Sequence, residues 1–536
     1  MNIRKSFFFL LLTAILASAC EKAAEPEFIK IVSGVGAAME IEPGGYARVD
    51  FKVNESIKYF MYNTPDGTDE ISIETPGGGV PEHLYLKYVE CISSHDNSFF
   101  ANIGDDFKGR QYEESVVIVI QREGRRYVSA PINIKCGEPV CSGAPQTGLP
   151  VIYITTKGYA EIKSKEEYVD ALINVDGNGK FDNVATMPCR IRGRGNTTWS
   201  YPKKPYLIKL DSKTPMLGMP KHKSWVLLAN YIDKPMIRNA VAFKVASLTS
   251  IAYTTRSQFC EVVLNGEHIG NYQLVEHIKV DKNRLNISEK DGYLYELDGR
   301  YRNKVNWTDP HGSCDLVKSG IPFSIKYPDE DEITQKQIDR GKEIISEVAE
   351  AIYSEDFKDP GKGYRKLLDV ESFADFWIVY ELTINHELLN PLSIFMFKDG
   401  DKPLAAGPVW DFDWGILSFV ENPQARDDIF LKDAIWYTQL FKDPYFVNVL
   451  KERWEALYPS LCTVPEFMDE KRAELEKSAE YNYQLWDPYV GKSRKVINGD
   501  ERMPFDEAVE LLKTNYNIHL ETMDKAIKAL TVEETL

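Results

Sequence analysis

Apolar and polar positions alternate with a period of two through the first quarter of the chain, in runs such as ARVDFKV, YLKYVEC, SVVIVIQ and APINIKC. Such alternation turns one face of an extended strand toward a core and the other toward solvent. Turn formers in EPGG, TPDG and TPGGG separate the runs, so residues 30–136 are expected to fold as a small antiparallel β-sandwich of immunoglobulin-like type. Residues 137–148, rich in Gly and Pro and without periodicity, read as a linker. From Pro150 to about Asp298 strand-type runs return in VIYITT, PYLIKL, SWVLLA, FCEVVLNG, GNYQLVEHI and GYLYELD. One helix interrupts them, MIRNAVAFKVASLTS, with Ile237, Val241 and Val245 on one face. Beyond residue 330 the period becomes helical in ITQKQIDRGKEIISEVAEAIYS, VESFADFWIVYELTI, PYFVNVLKERWEALY and the segment from Phe505. The expected fold class is α+β, with a mainly β part over 149–300 and a mainly helical part over 301–536.

The N-terminus changes the picture of where such a chain works. Arg4 and Lys5 precede an apolar run from Phe7 to Leu16 that is too short for a stable bilayer span. Ala17, Ser18 and Ala19 then lead into Cys20 as in a lipobox, so residues 1–19 read as an export signal and Cys20 as the lipidated first residue of the mature chain. Two or three acyl chains give stable anchoring at about 0.8 kcal/mol per buried methylene. Residues 20–29 form a short charged tether, and the expected address is the outer membrane or cell surface of a bacterium, with membrane contact through the lipid anchor only. Losing Arg4 and Lys5 takes the formal charge from −17 to −19, a surface that repels phosphate backbones and argues against nucleic-acid binding. Of eight cysteines, seven remain after Cys20, with no CxxC pair; neither a zinc site nor a full disulfide framework follows, although a Cys91 to Cys136 bridge is allowed.

The densest chemistry lies between Arg192 and Leu210, RGRGNTTWSYPKKPYLIKL. Gly193 and Gly195 let backbone amides approach a phosphate, and Arg192, Arg194, Lys203, Lys204 and Lys209 concentrate positive charge in an acidic chain. The bland alternative is a glycine-rich hairpin with a solvated basic edge. GPVWDFDWG sets Asp411 and Asp413 after an expected strand, KPLAAGPVW. Two such carboxylates suit Mg²⁺, which takes few protein ligands and completes its shell with nucleotide phosphates.

These segments, with LGMPKHKSWVLLANYIDKPMIRNAVAF and EVVLNGEHIGNYQLVEHIKVDKNRLNI between them, occur in the order found in the spore-coat-protein-H (CotH) kinase-like family. The chain resembles that family over 149–536. The resemblance implies an atypical two-lobed kinase fold, ATP and Mg as ligands, and a surface or secreted protein as phosphate acceptor. It also implies roles. Asp411, then Asp413, would be the metal ligands; Arg192, Gly193, Arg194, Gly195 and Lys209 would face phosphate; Glu276 would lie near the lobe connection where adenine docks, against a competing reading as a solvated strand acid. Upstream, ELTINHELLNPLSIFMFKDG occupies the place of the catalytic loop. Glu387 stands where the family pattern has Asp, and Asn390 is the candidate amide. The extra methylene of Glu387 moves the carboxylate, and errors near one ångström cost about a hundredfold in rate. A non-catalytic surface lipoprotein using the same fold for adhesion or glycan binding is the competing function, and a hydrolase pairing Asp411 with Glu387 is a third.

Overall fold

The computed structural model describes residues 29–31, 39–41, 46–53, 69–79, 81, 84–91, 96–103, 112–122, 125–136, 144–315, 317–486 and 497–531. The expected signal segment, Cys20, the tether up to residue 28 and residues 137–143 of the expected linker lie outside the described residues. Two compact units emerge, one of residues 1–142 with 155–161 and 265–267, the other of the remainder. Among the described residues no helix is long and apolar enough to cross a membrane.

The first unit holds β1 (Ile29–Ile31), β2 (Met39–Ile41), β3 (Tyr46–Val53), β4 (Asp69–Glu74), β5 (Leu84–Cys91), β6 (Asp96–Ile103), β7 (Tyr112–Arg122), β8 (Arg125–Val128) and β9 (Ile132–Cys136). They form a four-stranded sheet in the order β1-β3-β6-β5 and a five-stranded one, β2-β9-β7-β4, with β8 beside β7. Val116 to Ile120 in β7 are all buried, so this strand is covered on both faces.

Next along the chain, and almost entirely in the second unit, come β10 (Val151–Thr156), β11 (Val169–Asp176), β12 (Val184–Gly193), β13 (Tyr206–Met216), β14 (Met219–Leu228), β15 (Ser257–Leu264) and β16 (Glu267–Glu276). These close a barrel in the order β10-β11-β12-β13-β14-β16-β15, sealed by the parallel pairing of β10 with β15. Alternation along β12 and β13 decides what reaches the site. Cys189, Ile191, Ile208 and Leu210 fill the barrel with Trp225, while Leu207 packs outward against the core of the helical part. The residues between them therefore face out.

A second, antiparallel sheet follows: β17 (Tyr293–Leu297), β18 (Asn306–Asp309), β19 (Ile321–Tyr327), β20 (Ile394–Lys398) and β21 (Ala405–Ala406), in the order β18-β19-β17-β20-β21. Strand structure thus continues past residue 300, and the expected strand KPLAAGPVW shrinks to Ala405–Ala406. The helices are α1 (Arg238–Ser247), α2 (Gln335–Tyr353), α3 (Val370–Leu382), α4 (Tyr437–Leu440), α5 (Pro444–Leu461), α6 (Val464–Leu485) and α7 (Phe505–Ala529). Helix α1 is apolar on the expected face, with Ile237, Val241 and Val245 fully buried. The whole is a mixed α+β fold.

Candidate functional site

Two cavities share one wall, made in part by Arg194, Gly195, Arg302, Ser393 and Trp410. The first, of about 390 Å³, is also lined by Glu387, Asn390, Asp411, Asp413 and Asn239. The second, of about 590 Å³, adds Arg192 and Leu207 from the barrel's outer face, His277 to Val280 after β16, and Leu294, Asp298 and Phe395 from the second sheet. Both volumes fall in the range of small-molecule sites.

Each functional side chain is placed by a local device. Helix α3 is capped at its start by Asp369, whose carboxylate accepts from Ser372 N at 3.1 Å, and it ends before Thr383. Ile384 then adopts a left-handed conformation, φ 56°, and Asn385 Oδ1 accepts from Glu387 N at 2.9 Å. That turn lifts Glu387 onto the cavity wall. Asp411 is also left-handed, φ 70°, a conformation that costs a non-glycine residue free energy and recurs at functional sites. Ser393, left-handed at φ 58°, donates its hydroxyl hydrogen to Asp411.

Burial raises all three carboxyls above their ordinary range. For Asp411 the guanidinium charges of Arg194 and Arg302 oppose that rise. Asp413 is pushed up to about 8, by burial first and then by the charge of Asp411. Glu387 rises well above the usual range through burial and the charges of Asp411 and Asp413, with Arg302 and Arg300 pulling the other way. Its Oε2 is buried without a hydrogen-bond partner. Three carboxyls that resist joint ionisation are suited to a site completed by added positive charge. Among the described residues no three carboxylate, imidazole or thiol groups form a ready-made metal cage, and the arrangement instead fits a Mg²⁺ held by one or two carboxylates and substrate phosphates. Arg194 faces these acids; burial lowers its pKa, Asp411 and Asp413 oppose the drop, and its guanidinium lies 5.4 Å from the Trp410 ring centre.

The remaining expected residues separate. Arg192 lines the second cavity, its guanidinium 5.0 Å from the Tyr168 ring centre. Gly193 lines neither cavity, and a Cβ there would overlap the Trp199 ring. Gly195, with φ 84°, does line both cavities. Lys209 is exposed and lines neither cavity, because Ile208 and Leu210 point into the barrel and its register sets it beside Arg190 and Ser224. Lys203 lines the first cavity from a buried position, against Asn271 O, Asn482 and the Tyr272 ring, whereas Lys204 donates to Trp199 O at 2.8 Å. Glu276 is neither solvated nor on a cavity wall. Its carboxylate is fully buried and accepts from Tyr253 Oη at 2.9 Å, Arg256 Nε at 2.9 Å and Arg284 Nη1. Arg302 was not anticipated. Arg302 is held by Asp298, with Nε to Oδ2 at 2.9 Å, and Asn239 Oδ1 accepts from Phe412 N at 2.9 Å. The segment LDGRYRN after β17 was the only local signal for Arg302.

An α+β domain that sets acids and guanidinium groups around a shared cavity wall is the class this geometry defines. The sequence matches the family described as CotH kinase protein over residues 191–523, and the chain belongs to that family, whose members are kinase-like. A comparison with curated proteins found no match.

Proposed function

We propose that this chain binds a nucleoside triphosphate with Mg²⁺ and transfers its terminal phosphoryl group to a protein hydroxyl. The observation that carries the reading is the convergence of Glu387, Asp411, Asp413 and Arg194 on one cavity. Asp411 and Asp413 would hold the cation, which when bound neutralises phosphate charge. Arg194 and Arg302, on the wall common to both cavities, face the phosphates. The second cavity takes the base between the barrel's outer face at Leu207, the connection His277 to Val280, and Leu294 and Phe395. In this reading the two sides follow the division of a two-lobed kinase, and Glu387 orients the acceptor hydroxyl from the first cavity, with Asn390 beside it. The first unit, with its two sheets, serves as an immunoglobulin-like spacer, and Cys20 tethers the chain to a bacterial surface membrane. A Cys20→Ser chain is then recovered in the soluble fraction.

Calorimetric titration with Mg·ATP tests the central reading. Wild-type protein binds and Asp411→Asn binds at least about tenfold more weakly, the loss typical of removing a charged partner. Absence of any heat from wild-type protein up to millimolar nucleotide overturns it.

A further inference from the structure

The loop carrying Asp411 and Asp413 is held from outside at three successive points. Asn239 Oδ1 accepts from Phe412 N at 2.9 Å, Asn498 Oδ1 accepts from Gly415 N at 3.0 Å, and Arg238 Nε donates to Ile416 O at 2.9 Å. Two of these side chains are neighbours at the start of α1. The third comes from the turn 497–501, which is 83 residues beyond its partner in the chain. That turn is internally built. The carboxylate of Glu501 accepts from the backbone amides of Ile497, Asn498 and Gly499, at 2.5, 2.7 and 2.9 Å. Asp500 accepts from Arg238 Nη2 at 2.5 Å, and Ser418 Oγ donates to Ile497 O at 2.7 Å. Asn498, Asp500 and Glu501 are all buried, although none of them lines the first cavity.

We propose that the turn Ile497–Glu501 is a clasp that fixes the acid loop in its cation-holding position, with Asn498 as the positioning residue. This rests on the reading that Asp411 and Asp413 hold the divalent cation. A bond to a backbone amide two residues after Asp413 restricts where that carboxylate stands without touching any ligand. A carboxylate free to swing loses affinity, because partners behind metal ligands set their direction. Burial alone would need neither the three-amide carboxylate turn nor its alignment on Gly415.

The test uses the full chain as wild type, Asn498→Ala and Glu501→Ala. Asn498→Ala removes the latch, whereas Glu501→Ala loosens the turn that carries it, so one variant serves if the other does not fold. Hydrogen exchange of the peptide covering 409–418 reads the clasp with no nucleotide present, and Mn²⁺ titrated in the presence of ATP reads its consequence. Both variants are expected to exchange this peptide at least about tenfold faster. Their Mn²⁺ affinity is expected to fall by about tenfold or more. Unchanged exchange overturns the clasp. Faster exchange with wild-type Mn²⁺ affinity shows a merely structural turn and overturns the positioning role. If wild-type protein takes up no Mn²⁺ with ATP, the cation reading fails together with the positioning role, and the exchange data still decide whether the turn holds the loop.

Discussion

Arg238 and Asp500, 262 residues apart in the chain, form an ion pair with side chains only 1% and 0% exposed, and the same guanidinium pairs with Asp233 at 2.6 Å. One cation thus compensates two buried acids and also supports the acid loop through Ile416 O. Arg238→Met strands both carboxylates, and breaking a buried pair in this way costs about 3–5 kcal/mol. Urea unfolding should show that loss, and Arg238→Met/Asp500→Leu should recover part of it by removing one stranded charge. An Arg238→Met chain as stable as wild type contradicts this account.

Lys203 gives the stability a slope with pH. Burial lowers its ammonium from the ordinary 10.5 to about 7, against the opposing charge of Glu261. Between those values the unfolded chain carries the proton and the folded chain has shed it. The unfolded state therefore binds more protons, and this group makes stability rise with pH from about 7 upward, by at most about 1.4 kcal/mol per pH unit. Melting curves at pH 7, 8 and 9 should show a rise in wild-type protein that Lys203→Met lacks. Parallel curves for the two proteins count against the assignment.

The parts of the fold that were legible are those with local periodicity. Ile237, Val241 and Val245 mark α1 because three apolar residues at helical spacing must share a face. Helix α6 escaped notice because only six of its 22 residues are buried and its text is dominated by charge. The expected strand before Asp411 failed where Pro408 removes a ladder donor. Glu387, Asn390, Asp411 and Asp413 were legible as short motifs and do share a cavity. The place of Lys209, beside Arg190 and Ser224 and on neither cavity, was not legible because barrel register sets it, and the strand's own text does not contain that register. Asn498 left no signal at all, since its partner lies in another segment and no local pattern announces it.

Trp199 explains why Gly193 is glycine. The ring occupies the space of the missing side chain, and Trp199 is packed in turn against the barrel core. Gly193→Ala must push the ring aside at a cost of about 1–3 kcal/mol. The effect should appear as a lowered melting temperature. Gly193→Ala/Trp199→Leu should regain stability relative to Gly193→Ala, because the clash is gone. A single variant as stable as wild type removes this explanation.

Arg194 and Lys209 separate two versions of the phosphate site, and Glu387 separates binding from chemistry. Arg194 faces Asp411 and Asp413 across the first cavity, where a guanidinium can make charge-assisted bonds to phosphate oxygens. Losing such bonds in Arg194→Met should weaken Mg·ATP binding by about tenfold or more. Lys209 points to solvent from the barrel's outer face, where screening leaves little long-range influence, so Lys209→Met should change binding by about twofold or less. The reverse ranking would return the phosphate to the lysine. Glu387→Gln keeps the size of the side chain and removes its ability to accept the acceptor's proton. Nucleotide affinity should then stay within about twofold while transfer falls by roughly 100 to 10,000 fold, the share general-base catalysis supplies. Measuring binding by calorimetry and transfer with labelled ATP on the same preparations reads both. Full transfer activity in Glu387→Gln would remove it from the catalytic position, and equal loss of binding and transfer would make it a ligand contact instead.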